Sequence, residues 1–429
     1  MSRENIIKTV EDSPVGEKYM ILNHKSGLTV FLCPMKKYSA MYAQFTARYG
    51  SLDTAFRTDA QKDFTRVPAG IAHFLEHKMF EDEEGDAFMK FAQTGANANA
   101  YTSSDRTSYE LSCTSGMMEN LEILLSMLTK PYFTEESIRK EREIITQEIN
   151  MYRDSPYWNV YFNLLRSLYH RHPITVDIAG TAESIAKIDR TLLLFCHGVF
   201  YNLHNMALSV SGNFEADEVI ELCDRILESS PEIKIDREFA DEPPEVRRSF
   251  FSKRLPVATP IFEIGFKNSP LPKQELLRKS IAADIALEAL CGETSALYSR
   301  LYNAGLITDS FDSELACEKD LFAIIFSGES NKPQAVLDEL LKEIEEFRQN
   351  GVNEEDFRRV KKYLYGKFAM GYSDVESIAN ALTNAFIEER TPFEGIRILP
   401  EISIKEVNDA IREYFDFGRL ALSVVEPVN

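Results

Sequence analysis

Two histidines and a glutamate in the stretch GIAHFLEH, residues 70 to 77, could carry out metal chemistry. His73 and His77 are four positions apart, so in a helix their rings project from one face and can bind one ion. Glu76 is one turn from His73 and adjacent to the same face. An ordinary buried helix could also contain such a pair, and this stretch alone leaves both interpretations open.

A third ligand must come from elsewhere, because a hydrolytic zinc site uses three protein ligands and one open position for water. Glu148 is the best candidate. It lies on a predicted helix with Thr134 as its N-cap and acidic residues in its first turn. Glu141, two turns earlier on the same face, could hold a histidine proton. Two glutamates a heptad apart on a later helix favour a metal site over a structural histidine pair.

The surrounding elements alternate between predicted strands and helices. Apolar residues alternate in KYMILNHKSGLTVFLCP and in SAMYAQFTARYGS, which predicts strands before the histidine helix. NANAYTSSDRTSYELSC predicts two strands with a turn around Ser103 to Arg106, and MALSVSGN predicts a further strand. This order indicates a sheet packed on helices.

The second part of the chain repeats the first. FTEESIRKEREII resembles VNEEDFRRVKKYL, and MALSVSG resembles LALSVVE. ATPIFEIGFKNSP and SFDSELACEKDLFAIIFSG take the places of the earlier strand and strand pair. We therefore predict an α+β protein of two duplicated α/β domains, each a mostly antiparallel sheet packed against helices. The predicted boundaries are 1–228 for an N-terminal zinc-binding domain, 229–248 for a Pro-rich and charged linker, and 249–429 for the C-terminal domain.

The two halves do not share the chemistry. The second half contains no histidine. When the two long helices are aligned on Thr134 and Asn353, the positions of Glu141 and Glu148 become Val360 and Lys367. Any metal site therefore belongs to the first half.

Composition narrows the class of protein. The six cysteines are dispersed without a C-x-x-C pair, which argues against a disulfide framework and a thiolate zinc site. A net charge of -20 disfavours nucleic acid or an anionic membrane as partner. That charge either keeps the protein soluble or attracts basic peptides. No apolar run is long enough for membrane insertion, and MSRENIIKTVEDSP has no export signal, so we expect a cytoplasmic protein.

The linked motifs resemble those of the pitrilysin/insulinase superfamily of zinc metallopeptidases, which includes the mitochondrial processing peptidase. The resemblance runs along nearly the whole chain, through GIAHFLEHKMFED with its H-x-x-E-H motif, ANANAYTSSDRTSYEL, the two heptad-spaced glutamates and HPITVDIAGTAESI. Several such motifs in the same order are far more specific than any one alone.

The resemblance implies a role for each motif residue. His73, His77 and Glu148 would bind Zn²⁺, Glu76 would be the general base, and Glu141 would support the ligands. Zinc would lower the pKa of its water towards ~7 and polarise the scissile carbonyl. An extended peptide would pair with the strand formed by Asn97, Ala98, Asn99, Ala100 and Thr102. A plain edge or hairpin strand is the alternative for that segment.

One family feature is missing. Active members carry an Arg and a Tyr in the second half, seven residues apart around a Gly-Leu, that bind the substrate carbonyl. In SRLYNAGLITDSF these positions are Leu301 and Thr308, and one helical residue is about 100° of rotation, so neither Arg300 nor Tyr302 is an obvious substitute.

The missing pair has two explanations. The chain resembles the zinc-bearing subunit of two-subunit bacterial members, a half-clamshell that a homologous zinc-free subunit carrying the Arg and Tyr would complete. A homodimer is the other form of partner. The second explanation is that the chain is a non-catalytic structural subunit of a larger complex. A zinc hydrolase of non-peptide substrates is a further alternative for the function.

Overall fold

Strands and helices alternate along the chain as its apolar pattern predicts. The computed structural model describes residues 5–11, 13–83, 85–318 and 321–428. Its strands are β1 (Ile6–Val10), β2 (Tyr19–Asn23), β3 (Thr29–Pro34), β4 (Met41–Ala47), β5 (Ala55–Thr58), β6 (Thr65–Arg66), β7 (Glu81–Asp82), β8 (Gly85–Asp86), β9 (Asn97–Thr102), β10 (Thr107–Cys113), β11 (Met206–Gly212), β12 (Ile235–Arg237), β13 (Phe250–Leu255), β14 (Ile261–Asn268), β15 (Asp312–Glu318), β16 (Leu321–Glu329) and β17 (Leu420–Pro427).

The helices in the described part of the chain are α1 (Ile71–Lys78), α2 (Ala87–Thr94), α3 (Met117–Thr129), α4 (Glu135–Asp154), α5 (Pro156–Leu168), α6 (Ala182–Ile185), α7 (Arg190–Phe200), α8 (Ala216–Ile226), α9 (Lys273–Cys291), α10 (Ala296–Asn303), α11 (Pro333–Asn350), α12 (Glu354–Met370), α13 (Val375–Ile387), α14 (Glu394–Ile398) and α15 (Ile404–Tyr414). Short 3-10 turns lie at Pro173–Thr175, Leu203–Asn205, Leu399–Glu401 and Phe417–Arg419.

The larger sheet has the strand order β1-β2-β3-β11-β4-β10-β9. Its neighbours are antiparallel except for β3 and β11, which run parallel. Every position of β4 and β11 is buried, because helices cover both faces of the sheet centre. Among the described strands, β9 pairs with β10 alone, so its other main-chain edge has no strand partner.

A second sheet repeats this topology. Its order is β13-β17-β14-β16-β15, and its one parallel pair among the described strands, β13 and β17, is the counterpart of β3 and β11. The segments that resemble each other in sequence, MALSVSG and LALSVVE, are the counterpart strands β11 and β17. The predicted α+β class, with duplicated and mostly antiparallel sheets packed on helices, is confirmed.

Each sheet is covered on both faces by helices of its own unit. The first apolar core joins the sheet to α1, α2, α3, α7 and α8. Helix α13 covers the other face, where the Thr383 hydroxyl donates to the Ser209 hydroxyl at 2.8 Å. In the second unit α9 to α12 and α15 form one core. The other face packs on α5, which brings Leu164 and Leu168 against Ile325.

The chain divides into two units, each built from separate segments. One unit comprises Met1–Ile149, Val176–Glu238 and Ala369–Glu394, and the other comprises Asn150–Thr175, Phe239–Phe368 and Gly395–Asn429. Helix α5 therefore belongs to the second unit, and α13 belongs to the first. The boundaries 1–228, 229–248 and 249–429 refer to the halves of a duplicated sequence, and they stay a prediction.

The six cysteines are free thiols, and five of them are buried. Within the described ranges, no helix combines the length and the apolar character needed to cross a membrane.

Candidate metal centre

Helix α1 carries both motif histidines and begins at a glycine. Gly70 has a φ of 90°, in the left-handed region that glycine adopts without strain. A β-carbon at Gly70 would lie 2.4 Å from the carbonyl oxygen of Ala179, and one at Gly180 would lie 2.5 Å from that of Ala69. The Ser184 hydroxyl donates to the Ala69 carbonyl at 2.7 Å. The segment HPITVDIAGTAESI therefore fixes the position at which α1 starts.

Helix α4 begins as its sequence predicts and is tied to α1. The Thr134 hydroxyl accepts the N–H of Ser137 at 3.1 Å, while Glu135 and Glu136 complement the helix dipole. Lys78, at the end of α1, is fully buried and donates to the Ser137 hydroxyl at 2.9 Å. A buried ammonium needs such partners, so this contact fixes the two helices against each other.

The two helices bring three potential ligands together. One ligand atom from each of His73, His77 and Glu148 lies within 4.8 Å of the others, and the described residues contain no other such group. Nε2 of His73 is 3.6 Å from Oε1 of Glu148, and Nε2 of His77 is 3.6 Å from Oε2. These separations are too long for hydrogen bonds. Two ligands about 2.1 Å from a tetrahedral ion are about 3.4 Å apart, so the two nitrogen–oxygen separations, each to a different oxygen of Glu148, are close to those of a zinc site.

Glu141 controls the orientation of one histidine. Nδ1 of His77 lies 2.8 Å from Oε1 of Glu141. Burial lowers the pKa of His77, but the hydrogen bond and the charge of Glu141, together with the charges of Glu76 and Glu148, outweigh it and raise the pKa overall. A carboxylate at Nδ1 favours the tautomer that keeps the proton there, which leaves the Nε2 lone pair directed at Glu148.

The electrostatics of the other two members of the group, His73 and Glu148, suit a cation. Burial, with a smaller contribution from His77, lowers the pKa of His73 to about 3, so this ring is neutral at neutral pH. Burial raises the pKa of Glu148, against the opposing charge of His77. A bound cation would stabilise the carboxylate charge that burial disfavours, and neutral imidazoles with a carboxylate are typical zinc ligands.

Glu76 lies outside this group of three and contacts β9. It is buried, and its Oε2 accepts the hydroxyl proton of Thr102 at 2.7 Å. Burial raises the pKa of Glu76, while hydrogen bonds from Thr102 and the charge of His77 work in the opposite direction. A carboxylate with a raised pKa beside a metal group is suited to proton transfer.

The predicted substrate residues divide between the two faces of β9. Ala98 and Ala100 pack on the apolar core, and Thr102 points to α1 on the same side. Asn97 and Asn99 alternate with them and are exposed. The five side chains therefore do not share a face. A peptide that contacts all five residues would have to do so through the main chain of β9.

In the second unit, α9 and α12 take the places of α1 and α4. The segment AADIALE, residues 282–288, aligns with IAHFLEH, residues 71–77, and its second and fourth residues are buried in both. This alignment places Asp284 and Glu288 at the positions of the two histidines, and the charge of Lys367 acts on both carboxyls.

The counterpart of Glu148 is Lys367, and that of Glu141 is Val360. Burial raises the pKa of Asp284 to about 6, and the charge of Lys367 opposes this shift. An ammonium has no lone pair to offer a metal. The second unit therefore has carboxylates near a lysine where the first unit has its metal group.

Asp284, which stands at the position of His73, makes the stability of the protein depend on pH. Because the folded pKa of Asp284 is above its unfolded value of 3.8, the stabilisation from its protonated form is fully present below pH 3.8 and is lost as the pH rises through about 6. We expect Asp284→Asn to raise the free energy of unfolding at pH 8 by about 1–3 kcal/mol, and by much less at pH 4. Urea unfolding at the two pH values measures the difference.

Glu406→Gln provides the control with the opposite sign. A hydrogen bond from Arg278 is the main reason that the pKa of Glu406 falls to about 2. Its contribution is present above its unfolded pKa and is lost as the pH falls through about 2, so this variant should be destabilised at pH 8. If Asp284→Asn were destabilised at pH 8 to the same extent, the burial argument would be wrong.

The positions that correspond to the family's Arg and Tyr carry a leucine and a threonine. Leu301 is buried in the core of its unit, and the Thr308 hydroxyl lies 2.7 Å from that of Ser310. The neighbouring Arg300 is paired with Glu343.

Fold and site together define a class: a duplicated α+β protein with potential metal ligands at an H-x-x-E-H motif in its first half, and with no other such group among the residues described. Residues 65–182 match the family model described as "Insulinase (Peptidase family M16)", and residues 187–364 match "Peptidase M16 inactive domain". The chain belongs to the insulinase family, peptidase family M16, and the predicted resemblance is confirmed.

Individual relatives agree with this assignment. A Bacillus subtilis (strain 168) protein named "Uncharacterized zinc protease YmfH" is 34% identical over 432 residues, covering 98% of this chain and all of that protein. A "Probable mitochondrial-processing peptidase subunit beta" of Schizosaccharomyces pombe is 28% identical over 189 residues, 43% of this chain and 40% of that one. The crystal structure of an M16-like peptidase from Alicyclobacillus acidocaldarius has a TM-score of 0.92 and 32% identity, over the full length of both chains.

Proposed function

We propose that this chain is a zinc metallopeptidase whose ion is held by His73, His77 and Glu148. The observation that carries the proposal is the convergence of these three residues at separations that suit one tetrahedral ion. The zinc proteases among its relatives support the same metal. When bound, the ion would supply a Lewis acid that polarises the peptide carbonyl and acidifies water.

The protein's own groups would handle the protons. Glu76 would take a proton from the attacking water and pass it to the leaving amine, because it is a buried carboxylate adjacent to the ligand face of α1. Glu141 would keep His77 in the tautomer that presents Nε2 to the ion. Glu76 would thus transfer the proton, and Glu141 would orient a ligand.

The proposed substrate is a peptide in extended conformation. The free edge of β9, along Asn97, Ala98, Asn99, Ala100 and Thr102, would pair with the peptide main chain. Main-chain pairing gives affinity with little demand on side-chain identity. The exposed Asn97 and Asn99 would be the residues of this strand that contact substrate side chains.

We also propose that a second subunit completes the active site. The buried Leu301 and the hydrogen-bonded Thr308 support this idea, since these two positions carry neither the guanidinium nor the phenol that the family uses to bind the substrate carbonyl. The partner would be a homologous zinc-free chain that carries those two residues, with a homodimer as the other possible arrangement.

Activity with and without a partner tests this proposal. Because one lost carbonyl donor costs about 10²–10³ in kcat, we expect the purified chain to hydrolyse a peptide mixture slowly and a homologous Arg/Tyr subunit to raise the rate by at least that factor. If the single chain works at full rate and the partner changes nothing, the two-subunit proposal fails. A chain that assembles with the partner but holds no zinc would instead be a structural subunit.

A further inference from the structure

The Thr102 side chain contacts Glu76, the proposed base. It lies on the face of β9 opposite to that of the exposed Asn97 and Asn99. Its hydroxyl is 2.7 Å from Oε2 of Glu76. Ala98 and Ala100, the preceding residues on the same face of the strand, pack on the core that includes α1. The alternation of the strand therefore places Thr102 beneath the helix that carries the histidines.

Neighbouring groups determine which way the Thr102 hydroxyl points. The Thr107 hydroxyl lies 3.3 Å from it, but Thr107 also donates to the main-chain oxygen of Tyr49 at 2.8 Å. Thr107 and Tyr49 are both fully buried, so no bulk water competes for this bond. A threonine has one hydroxyl proton, and that of Thr102 is left for the Glu76 carboxylate.

We infer that Thr102 is a positioning residue for Glu76 in the proposed hydrolysis, on which this inference rests. Its hydroxyl donates to Oε2, and its main-chain N–H, which a substitution at this position keeps, adds a weaker hydrogen bond to the same carboxylate. Oε1, which does not accept the hydroxyl, would be the oxygen that receives the proton from water. The hydroxyl also fixes the carboxylate in one rotamer, because hydrogen bonds to a charged acceptor are about twice as strong as neutral ones. The chemistry of the base thus depends on a strand that was expected only to bind substrate.

The two roles of Thr102 predict different kinetics. A residue that binds substrate through its side chain changes KM, whereas a residue that positions the base changes kcat. We expect Thr102→Val to lower kcat by about 10- to 100-fold, as misplaced supporting groups do, and to leave KM and zinc content unchanged. Thr102→Ser keeps the hydroxyl and should restore kcat.

Thr46→Val is the matched control. Thr46 is a buried threonine on β4 of the same sheet, and its hydroxyl bonds to Ser108 at 2.8 Å, away from Glu76. This variant removes a similar buried hydrogen bond, so it should affect the unfolding midpoint without changing kcat. An equal loss of kcat in Thr46→Val and Thr102→Val would show that Thr102 acts only through the stability of the sheet.

Crystal structures of the zinc-loaded variants provide a readout that does not need turnover. We expect the Glu76 carboxylate to leave its position on β9 in Thr102→Val and to keep it in Thr102→Ser. An unmoved carboxylate in Thr102→Val overturns the inference. If the wild-type chain, assayed with its partner, is no faster than Glu76→Gln, the proposed function fails, and the crystal structures still decide the role of Thr102.

Discussion

Replacing Glu76 by glutamine is expected to lower kcat for peptide hydrolysis by about 10²- to 10⁴-fold, the range that general base catalysis contributes. Glutamine has nearly the same shape and can still accept the Thr102 hydroxyl proton, but it cannot take a proton from water. Because Glu76 is outside the group formed by His73, His77 and Glu148, zinc content should not change. Steady-state kinetics and metal analysis of the same preparation measure both quantities.

Glu143→Gln is the control for this experiment. Glu143 lies on α4, as Glu148 does, but it is exposed and paired with Arg139 at 2.8 Å. Its removal deletes one carboxylate without touching the metal group, so activity should be that of the wild type. A Glu76→Gln enzyme as fast as Glu143→Gln would exclude Glu76 as the base.

Replacing His77 by alanine is expected to abolish stoichiometric zinc binding and, with it, hydrolysis. The change removes one of three ligands and also leaves Glu141 buried without its imidazole partner. Glu141→Gln should have the smaller effect that loss of a supporting carboxylate has, a decrease in zinc affinity of about 10- to 100-fold. Metal analysis after dialysis distinguishes the two variants.

Zinc binding should also raise the thermal stability of the folded protein. A ligand present at 1,000 times its dissociation constant stabilises the folded state by about 4 kcal/mol. Added zinc should therefore raise the Tm of the wild type and leave that of His77→Ala unchanged. His170→Ala is the control, because this histidine is exposed and does not belong to the group of potential ligands. Equal zinc loss in both variants would argue against a specific site.

The metal group was accessible from the sequence because it depends on local periodicity. The spacing of His73 and His77 places both on one face of α1, and the heptad between Glu141 and Glu148 places both on one face of α4. The repeated segments also predicted correctly that the two sheets would have counterpart strands. In each case a regular element of known pitch converts a spacing in sequence into a direction in space.

Other features depended on contacts between distant segments, which periodicity does not encode. An amphipathic pattern predicts that α5 and α13 each bury a face, but it does not indicate which sheet they cover, and each joins the unit that contains the other half's sheet. The close approach of Gly70 and Gly180 and the burial of Lys78 were missed for the same reason. A glycine directly before the motif was the one signal present for the first of these.

The Thr102 hydrogen bond lies between these two cases. Strand alternation places Thr102 on the same side as Ala98 and Ala100, which could have been deduced from the sequence. The residue of α1 that lies above Thr102 depends on how that helix packs on β9, and this could not be deduced from the sequence. The resemblance gave this strand a role in substrate binding, and the structure adds a contact with Glu76.

Zinc-edge anomalous diffraction from crystals of the purified chain would locate the proposed ion. We expect one strong anomalous peak in the first half of the chain, bounded by Nε2 of His73, Nε2 of His77 and a carboxylate oxygen of Glu148, and no peak beside Asp284 and Glu288. A fully zinc-supplemented crystal with no peak between His73, His77 and Glu148, or with its peak elsewhere, would contradict the account.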